Sequence, residues 1–287
     1  MTAGHLTPER EQWVVAQAMA GADPDSVLAP LRAEGWDEQA AIDAVQAAVA
    51  RFLERNAEQT GLPLPVRVPV PVEPNGASLL DAGDRQVQVL ASLMLPRVVV
   101  LGGLLADDEC DALIDLARTR LRRSTTVDPQ TGGDQVHADR TSRGTYFTRG
   151  QNALCARIDA RIARLLDWPL DHGEGLQVLN YGPGAEYRPH YDFLDPAAPA
   201  LADTLARQGQ RTATFLAYLN DDYAGGETAF PELDWRFSGQ AGDALLFFNV
   251  DDAGQPIRRS LHAGLPPAAG EKWLLSQWIR DRPQPLV

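Results

Sequence analysis

Tyr187-Arg188-Pro189-His190-Tyr191-Asp192 is the stretch that decides how the rest of the chain is read. In an extended strand side chains alternate between faces, so His190 and Asp192 are expected to point the same way. An imidazole and a carboxylate on one face can grip one metal ion. A His-x-Asp tripeptide also arises by chance and fits an ordinary polar strand or loop. A metal site therefore needs a third ligand elsewhere in the chain.

Five histidines are available. His5 sits on the amino-terminal arm, while His137 and His172 fall in polar stretches and are expected at the surface. His262 differs, because Ser260-Leu261-His262-Ala263-Gly264 reads as a short late strand that can pair beside the His-x-Asp strand in a rolled sheet. Two histidines and one carboxylate on a single metal are the arrangement of non-haem Fe(II) oxygenases, although zinc hydrolases use similar ligands. Lys272 favours the first reading. In the strand Lys272 to Ile279, the side chains of Lys272, Leu274, Ser276 and Trp278 share one face. A lysine on a buried face needs an anionic partner, since an unpaired ammonium in a core is costly. A dicarboxylate cosubstrate supplies one.

At 287 residues the chain predicts one large domain and a small one. Its net charge of -13, from 26 basic and 39 acidic residues, argues against a nucleic-acid surface. The two cysteines, Cys110 and Cys155, are too few for a disulfide scaffold and point to a reducing compartment. Glu9, Arg10 and Glu11 interrupt any signal-like apolar run, and no stretch approaches the ~20 apolar residues of a membrane span. A soluble, cytoplasmic protein without a membrane partner is the expectation.

Helical signals predict three short helices, Pro8 to Ala20, Pro24 to Glu34 and Asp37 to Arg55, with Thr7-Pro8, Asp23-Pro24 and Asp37 at their starts. They make a small all-α module over residues 1–60. The run Gly35-Trp36-Asp37-Glu38-Gln39-Ala40-Ala41-Ile42 resembles ubiquitin-associated-like domains, which implies a partner-binding or packing role. Prolines at 63, 65, 69, 71 and 74 mark residues 61–78 as an extended linker. From residue 79 the pattern changes. A strand from Met94 to Leu101 leads to a helix capped by Asp107 or Asp108 and running to Arg118, with Cys110 in the core. A polar loop, Ser124 to Asp139, precedes a strand from Arg140 to Phe147, and Asn152 to Leu166 reads as an amphipathic helix. Short strands follow: Leu176 to Tyr181, Tyr187 to Phe193, Thr212 to Leu219, Gly226 to Phe230, Asp243 to Asn249, Ser260 to Ala263 and Lys272 to Ile279. The Pro196 to Arg207 insert interrupts them as a helical or flexible excursion. The series predicts an α+β domain, a β sandwich or barrel with helices on one side.

The order and spacing of several stretches carry a resemblance. They are Arg140-Thr141-Ser142 with Gly144-Thr145, Asn180-Tyr181 with Gly184, the His-x-Asp stretch, and Arg211-Thr212-Ala213-Thr214 through Tyr218-Leu219. Gly225-Gly226-Glu227-Thr228, Ser260-Leu261-His262-Ala263-Gly264 and Gly270-Glu271-Lys272-Trp273 complete the set. From about Met94 to Arg280 the chain resembles the prolyl 4-hydroxylase branch of the 2-oxoglutarate- and Fe(II)-dependent dioxygenases. The resemblance implies a double-stranded β-helix (jelly-roll or cupin-like) core in the 79–287 domain. It implies that His190, Asp192 and His262 hold Fe(II), that Lys272 pairs with the distal carboxylate of 2-oxoglutarate with help from Tyr181 and Thr214, and that Trp278 walls the pocket. O2 would be the oxidant and ascorbate the reductant. Arg140, Ser142 and Tyr146 lie where this family closes over a peptide and are the expected substrate contacts. The implied activity is hydroxylation of a prolyl residue in a peptide or protein, with release of succinate and CO2. The rival readings are a hydroxylase of a free amino acid, small metabolite or other side chain, and a non-catalytic metal-binding scaffold. The triad together with Lys272 speaks against the scaffold.

Overall fold

The computed structural model describes residues 6–60, 76–124, 126–127, 134–135 and 139–286. The chain divides into two compact units, Met1–Pro65 and Val66–Val287. The linker expected over residues 61–78 lies mostly outside the described residues, as do His5, His137 and most of the Ser124 to Asp139 loop.

The first unit holds three helices, α1 (Pro8–Met19), α2 (Pro24–Ala33) and α3 (Glu38–Thr60). Thr7 and Asp23 accept backbone N–H groups at the starts of α1 and α2, each followed by a proline whose missing donor costs nothing there. Val14, Val27 and Ala48 pack in one buried cluster, and Leu28, Leu31 and Ala41 in another. The small side chains of Ala41 and Ala48 let α3 lie close to its neighbours. No Gly or Pro follows Arg55 before Gly61, and α3 accordingly runs past the expected end.

In the second unit the strands are β1 (Leu79–Asp81), β2 (Gln86–Met94), β3 (Arg97–Gly102), β4 (Arg122–Arg123), β5 (Thr126–Val127), β6 (Asp134–Gln135), β7 (Arg143–Phe147), β8 (Leu176–Tyr181) and β9 (Tyr187–His190). They continue as β10 (Arg211–Tyr218), β11 (Ala224–Gly225), β12 (Thr228–Phe230), β13 (Trp235–Phe237), β14 (Ala244–Phe248), β15 (His262–Gly264), β16 (Pro267–Ala269) and β17 (Lys272–Arg280). Nine of them form one antiparallel sheet in the order β1-β2-β3-β14-β10-β17-β8-β7-β4. A smaller sheet has the order β13-β12-β15-β9. Val100, Leu179, Leu216, Tyr218, Phe230, Phe247 and Leu274 make one buried cluster that joins the two sheets. The other face of the large sheet gives Val99, Val178, Phe215, Leu246 and Leu275 to a second cluster, shared with α4 (Asp107–Arg118) and α5 (Ala153–Leu165). Alternation along each central strand thus serves two cores, which is why β10, β14 and β17 are buried throughout.

The helices are tied by an ion pair. Glu109 of α4 accepts both Nη atoms of Arg161 of α5, at 2.7 and 2.9 Å, with Arg157 Nε at 2.8 Å. Its other task is at the start of α4, where Ala106, not Asp107 or Asp108, holds the cap position. Glu109 reaches back to the Ala106 N–H at 3.1 Å, so the third residue of the helix replaces the missing cap side chain.

Two other expectations change, while the helical reading of the Pro196 to Arg207 insert holds. The strand placed over Met94 to Leu101 is two strands, because Leu95-Pro96 turns the chain between β2 and β3, and β1 and β2 add an edge not seen in the sequence. The Pro196 to Arg207 insert contains the short helix α6 (Ala202–Gln208). His172 is not at the surface: its ring is edge-on to Trp168 and its Nδ1 lies 3.2 Å from the Arg280 carbonyl.

Candidate active site

β9 and β15 are neighbours in the small sheet, and His190 stands directly opposite His262. The strand ends at His190, so Asp192 is not held by strand alternation as expected. It lies two residues beyond, where Thr214 of β10 donates its hydroxyl to Asp192 Oδ2 at 2.8 Å. The resulting triad is compact. His190 Nε2 is 3.7 Å from Asp192 Oδ1 and His262 Nε2 is 3.5 Å from Asp192 Oδ2, and one ligand atom from each residue lies within 4.8 Å of the others.

Both imidazoles are oriented by their own backbone. His190 Nδ1 is 2.8 Å from the Arg188 carbonyl and His262 Nδ1 is 2.9 Å from the Ser260 carbonyl. A carbonyl only accepts, so each Nδ1 carries the proton and each Nε2 lone pair faces the triad. Burial, and then the neighbouring His262, push His190 down to about 3, which keeps it neutral. Burial raises Asp192, but attraction to His262 and His190 outweighs it and holds the carboxyl at about 2. Two imidazoles presenting Nε2 and one carboxylate are the donor set that an Fe(II) ion with open coordination positions takes. The rings are packed as well, with Tyr187 stacked on His190 at 3.4 Å between centroids and Phe247 against His262 at 4.6 Å.

A pocket opens from the triad. Its lining includes Tyr181, Leu216, Thr228, Leu274, Ser276 and Trp278; three of the four residues assigned to one face of β17 therefore line it, and Lys272 continues that face beyond the lining. Lys272 is 1% exposed and donates to the Gly226 carbonyl at 2.6 Å, its only described hydrogen bond. Burial pushes this ammonium down to about 7. Its Nζ lies 5.7 Å from the ring of Tyr181 and 5.3 Å from that of Tyr218. Tyr181 is raised by burial and stays a protonated donor. A buried cation with spare N–H groups beside phenol donors is a seat for a carboxylate, which fits the distal end of 2-oxoglutarate.

Thr214 is not part of that seat. It pairs with Trp278 in register, six residues along β17 from Lys272, or about 20 Å at strand rise. Its hydroxyl is committed to Asp192 and accepts from Asn249 Nδ2 at 2.9 Å. The threonine at the lysine end is Thr228, whose Oγ1 is 2.8 Å from the Tyr218 hydroxyl and which follows Gly226 by two residues. Its motif, Gly225-Gly226-Glu227-Thr228, is legible in the sequence, but the choice between two threonines needs the register of β12 against β15. Asn249, fully buried with an unpartnered Oδ1 among the described residues, carries no such signal.

At the opposite end Trp278 lines the pocket with a buried Nε1 that has no partner among the described residues, a donor available to a bound carbonyl or carboxylate. The Arg211 guanidinium lies 3.8 Å from its ring centre and is held by Glu174 at 2.7 and 3.1 Å. Arg280 binds the same carboxylate at 2.7 Å. Of the three expected substrate contacts, only Tyr146 is exposed, at 52%. Ser142 is fully buried, with its hydroxyl 3.0 Å from that of Ser124. Arg140 lines the pocket but is 4% exposed, bonded to Gln177 and stacked on Tyr187, so it belongs to the wall.

Residues 176–280 match the family model described as the 2OG-Fe(II) oxygenase superfamily. Probable prolyl 4-hydroxylase 3 of Arabidopsis thaliana is 38% identical over 217 residues, covering 69% of this chain and 73% of that protein. Prolyl 4-hydroxylase 1 of the same plant is 38% identical over 223 residues, covering 72% and 76%. Among solved structures, a viral collagen prolyl hydroxylase of Paramecium Bursaria Chlorella virus-1 in complex with 2OG is 30% identical, with a TM-score of 0.49 over 63% of this chain and 94% of that one. The chain thus belongs to the prolyl 4-hydroxylases of the 2OG-Fe(II) oxygenase superfamily.

Proposed function

We propose that the chain hydroxylates a prolyl residue in a peptide or protein, consuming O2 and 2-oxoglutarate and releasing succinate and CO2. The observation that carries this reading is a compact two-histidine, one-carboxylate triad in a pocket lined by Tyr181, Thr228 and Leu274, with the buried Lys272 next on the same strand face as Leu274. Bound Fe(II) with 2-oxoglutarate supplies the oxidising power for an unactivated C–H bond. His190, Asp192 and His262 hold the ion through Nε2, Oδ and Nε2. Lys272, Tyr181 and Thr228 receive the distal carboxylate, and the apolar walls formed by Leu179, Leu216 and Leu274 exclude water from the reacting end. None of these residues is required to move a proton at the substrate carbon.

The relatives are named for prolyl substrates, which supports a prolyl residue as the target. We read the two-sheet core as a double-stranded β-helix and the three helices as a separate module for a partner. The two buried free cysteines support a reducing, cytoplasmic setting. The test is incubation of the purified chain with proline-containing peptides, Fe(II), 2-oxoglutarate and ascorbate, reading peptide mass and succinate. A gain of one oxygen on proline, lost in His190→Ala, is the expected outcome. Succinate formation that persists in both His190→Ala and His262→Ala would refute it.

A further inference from the structure

We propose that the arginine-rich edge of the large sheet beside the pocket docks an acidic segment of the polypeptide substrate; the proposal rests on the prolyl-peptide reading above. Four of the six residues from Arg118 to Arg123 are arginine, and no acidic residue occurs from Leu116 to Val127, in a chain of net charge -13. Arg118, Arg120, Arg122, Arg123 and, on the next strand, Arg143 are all exposed. Their described contacts are with backbone carbonyls and rings: Arg120 with the Tyr146 carbonyl, Arg122 with that of Leu121, Arg123 with that of Thr141, and Arg118 over Trp273. Among the described residues none of the five pairs with a carboxylate. Some arginines elsewhere are matched, as Arg161 is with Glu109 and Arg211 with Glu174, while others, such as Arg149 and Arg258, also contact only carbonyls or rings among the described residues. Arg118 shares a cleft with Asp111, Asp115 and Glu271, which offset it, whereas Arg120, Arg122, Arg123 and Arg143 leave their positive field for a partner.

The topology says which partner. β4 ends the large sheet, and among the described residues no strand pairs with its outer edge, so its free N–H and C=O groups suit an extended peptide. Arg122 stands opposite Gly144, Gly144 opposite Leu179, and Leu179 opposite Leu274, so these four share one face. Leu179 and Leu274 line the pocket. Gly144 is buried beneath Leu179: a Cβ there would lie 2.9 Å from Leu179 Cδ2, so Arg122 is the first exposed side chain on this face. From Leu179 to Arg122 is two strand spacings, about 10 Å, which an extended peptide covers in about three residues. A glutamate or aspartate about three residues from the target proline therefore reaches Arg122, and on a peptide paired along the edge the alternate residues face Arg123, which lies on the sheet's other face.

The experiment compares fluorescent peptides that carry one proline and, about three residues to either side, paired Glu or paired Gln. Binding to the full chain is read by anisotropy, and hydroxylation by mass. The Glu peptide should bind about tenfold more tightly near 50 mM salt, and the preference should shrink to about threefold or less near 500 mM. The double variant Arg122→Glu/Arg123→Glu should abolish the preference while leaving the thermal midpoint and peptide-independent succinate release unchanged, and Arg122→Lys should keep most of it. Equal binding of the two peptides by the parent chain, or a preference that survives the double reversal, would overturn the proposal. So would displacement of the Glu peptide by an RNA oligonucleotide at lower concentration than by unlabelled Glu peptide. If the Arg-dependent preference holds but no proline gains oxygen, the docking edge stands and the prolyl reading falls. Hydroxylation of both peptides with equal kcat/KM would do the reverse.

Discussion

Replacing Thr214 by Val removes one hydroxyl and almost no volume, so its effect isolates the bond to Asp192 Oδ2 at 2.8 Å. That bond is charge-assisted and buried, of a kind that contributes about 1.5–3 kcal/mol. At about 1.4 kcal/mol per tenfold, the loss corresponds to about 10–100-fold weaker divalent-metal binding, the range seen when a group orienting a metal ligand is removed. A second effect follows from Asn249. Its Nδ2 loses the Thr214 acceptor while its Oδ1 already has no partner among the described residues, so both ends of the amide are left without one there. The metal-free protein should lose about 1–3 kcal/mol of stability for that reason. Anaerobic calorimetric titration with Fe(II), followed by 2-oxoglutarate titration of the loaded protein, separates the two sites. Thr214→Ser, which keeps the hydroxyl, should bind metal within about threefold of the parent. Unchanged metal affinity in Thr214→Val with about tenfold weaker 2-oxoglutarate binding would refute the assignment and return Thr214 to the cosubstrate carboxylate.

Lys272 sits near 7 in the free protein, and a bound carboxylate raises it, so binding takes up a proton above that pH. 2-Oxoglutarate affinity should fall as pH rises beyond about 7, by at most about tenfold per unit, and Lys272→Met should bind weakly with a flat profile. The same depressed pKa means that the unfolded chain holds more protons between about 7 and the ordinary 10.5, so cosubstrate-free stability rises with pH across that window. Denaturant titrations of Lys272→Met should lack this rise. Glu109→Ala breaks the buried pair with Arg161 and should cost about 3–5 kcal/mol in chemical denaturation without changing 2-oxoglutarate affinity. His262→Ala should remove the increase in thermal midpoint that Fe(II) gives the parent chain; an unchanged increase would exclude this ligand.

The metal triad and Lys272 were legible in the sequence because each leaves a local trace: a His-x-Asp spacing, a histidine in a late strand, a lysine on the face of a strand it shares with Leu274 and Trp278. Most of the large sheet was legible for the same reason, since β3 and β14 carry the unbroken apolar runs Val98 to Leu101 and Ala244 to Phe248, whereas β1 and β2 left no such trace. What no local pattern could give was pairing. Thr214 and Thr228 look equivalent as strand hydroxyls, and only the register of β10 against β17 puts one at the metal carboxylate and the other by Lys272. Glu174 and Asn249 act through partners on distant strands, Arg211 in one case and Thr214 in the other. Ser142 and Arg140 were placed by motif near the substrate, but their burial follows from packing against Ser124 and Tyr187.

The three metal ligands differ in what holds them. His190 and His262 are each aimed by a carbonyl two residues before them, whereas Asp192 depends on Thr214 and, through it, on Asn249 just past β14. The histidines are set as soon as their own turns form; the carboxylate is set only after segments far apart in the chain have met. During synthesis the half-site at His190 and Asp192 leaves the ribosome well before His262, and well before the strand-end asparagine that completes its support. High-affinity iron capture should therefore come late in maturation, after both sheets have closed, so that an unfinished chain holds no redox-active ion.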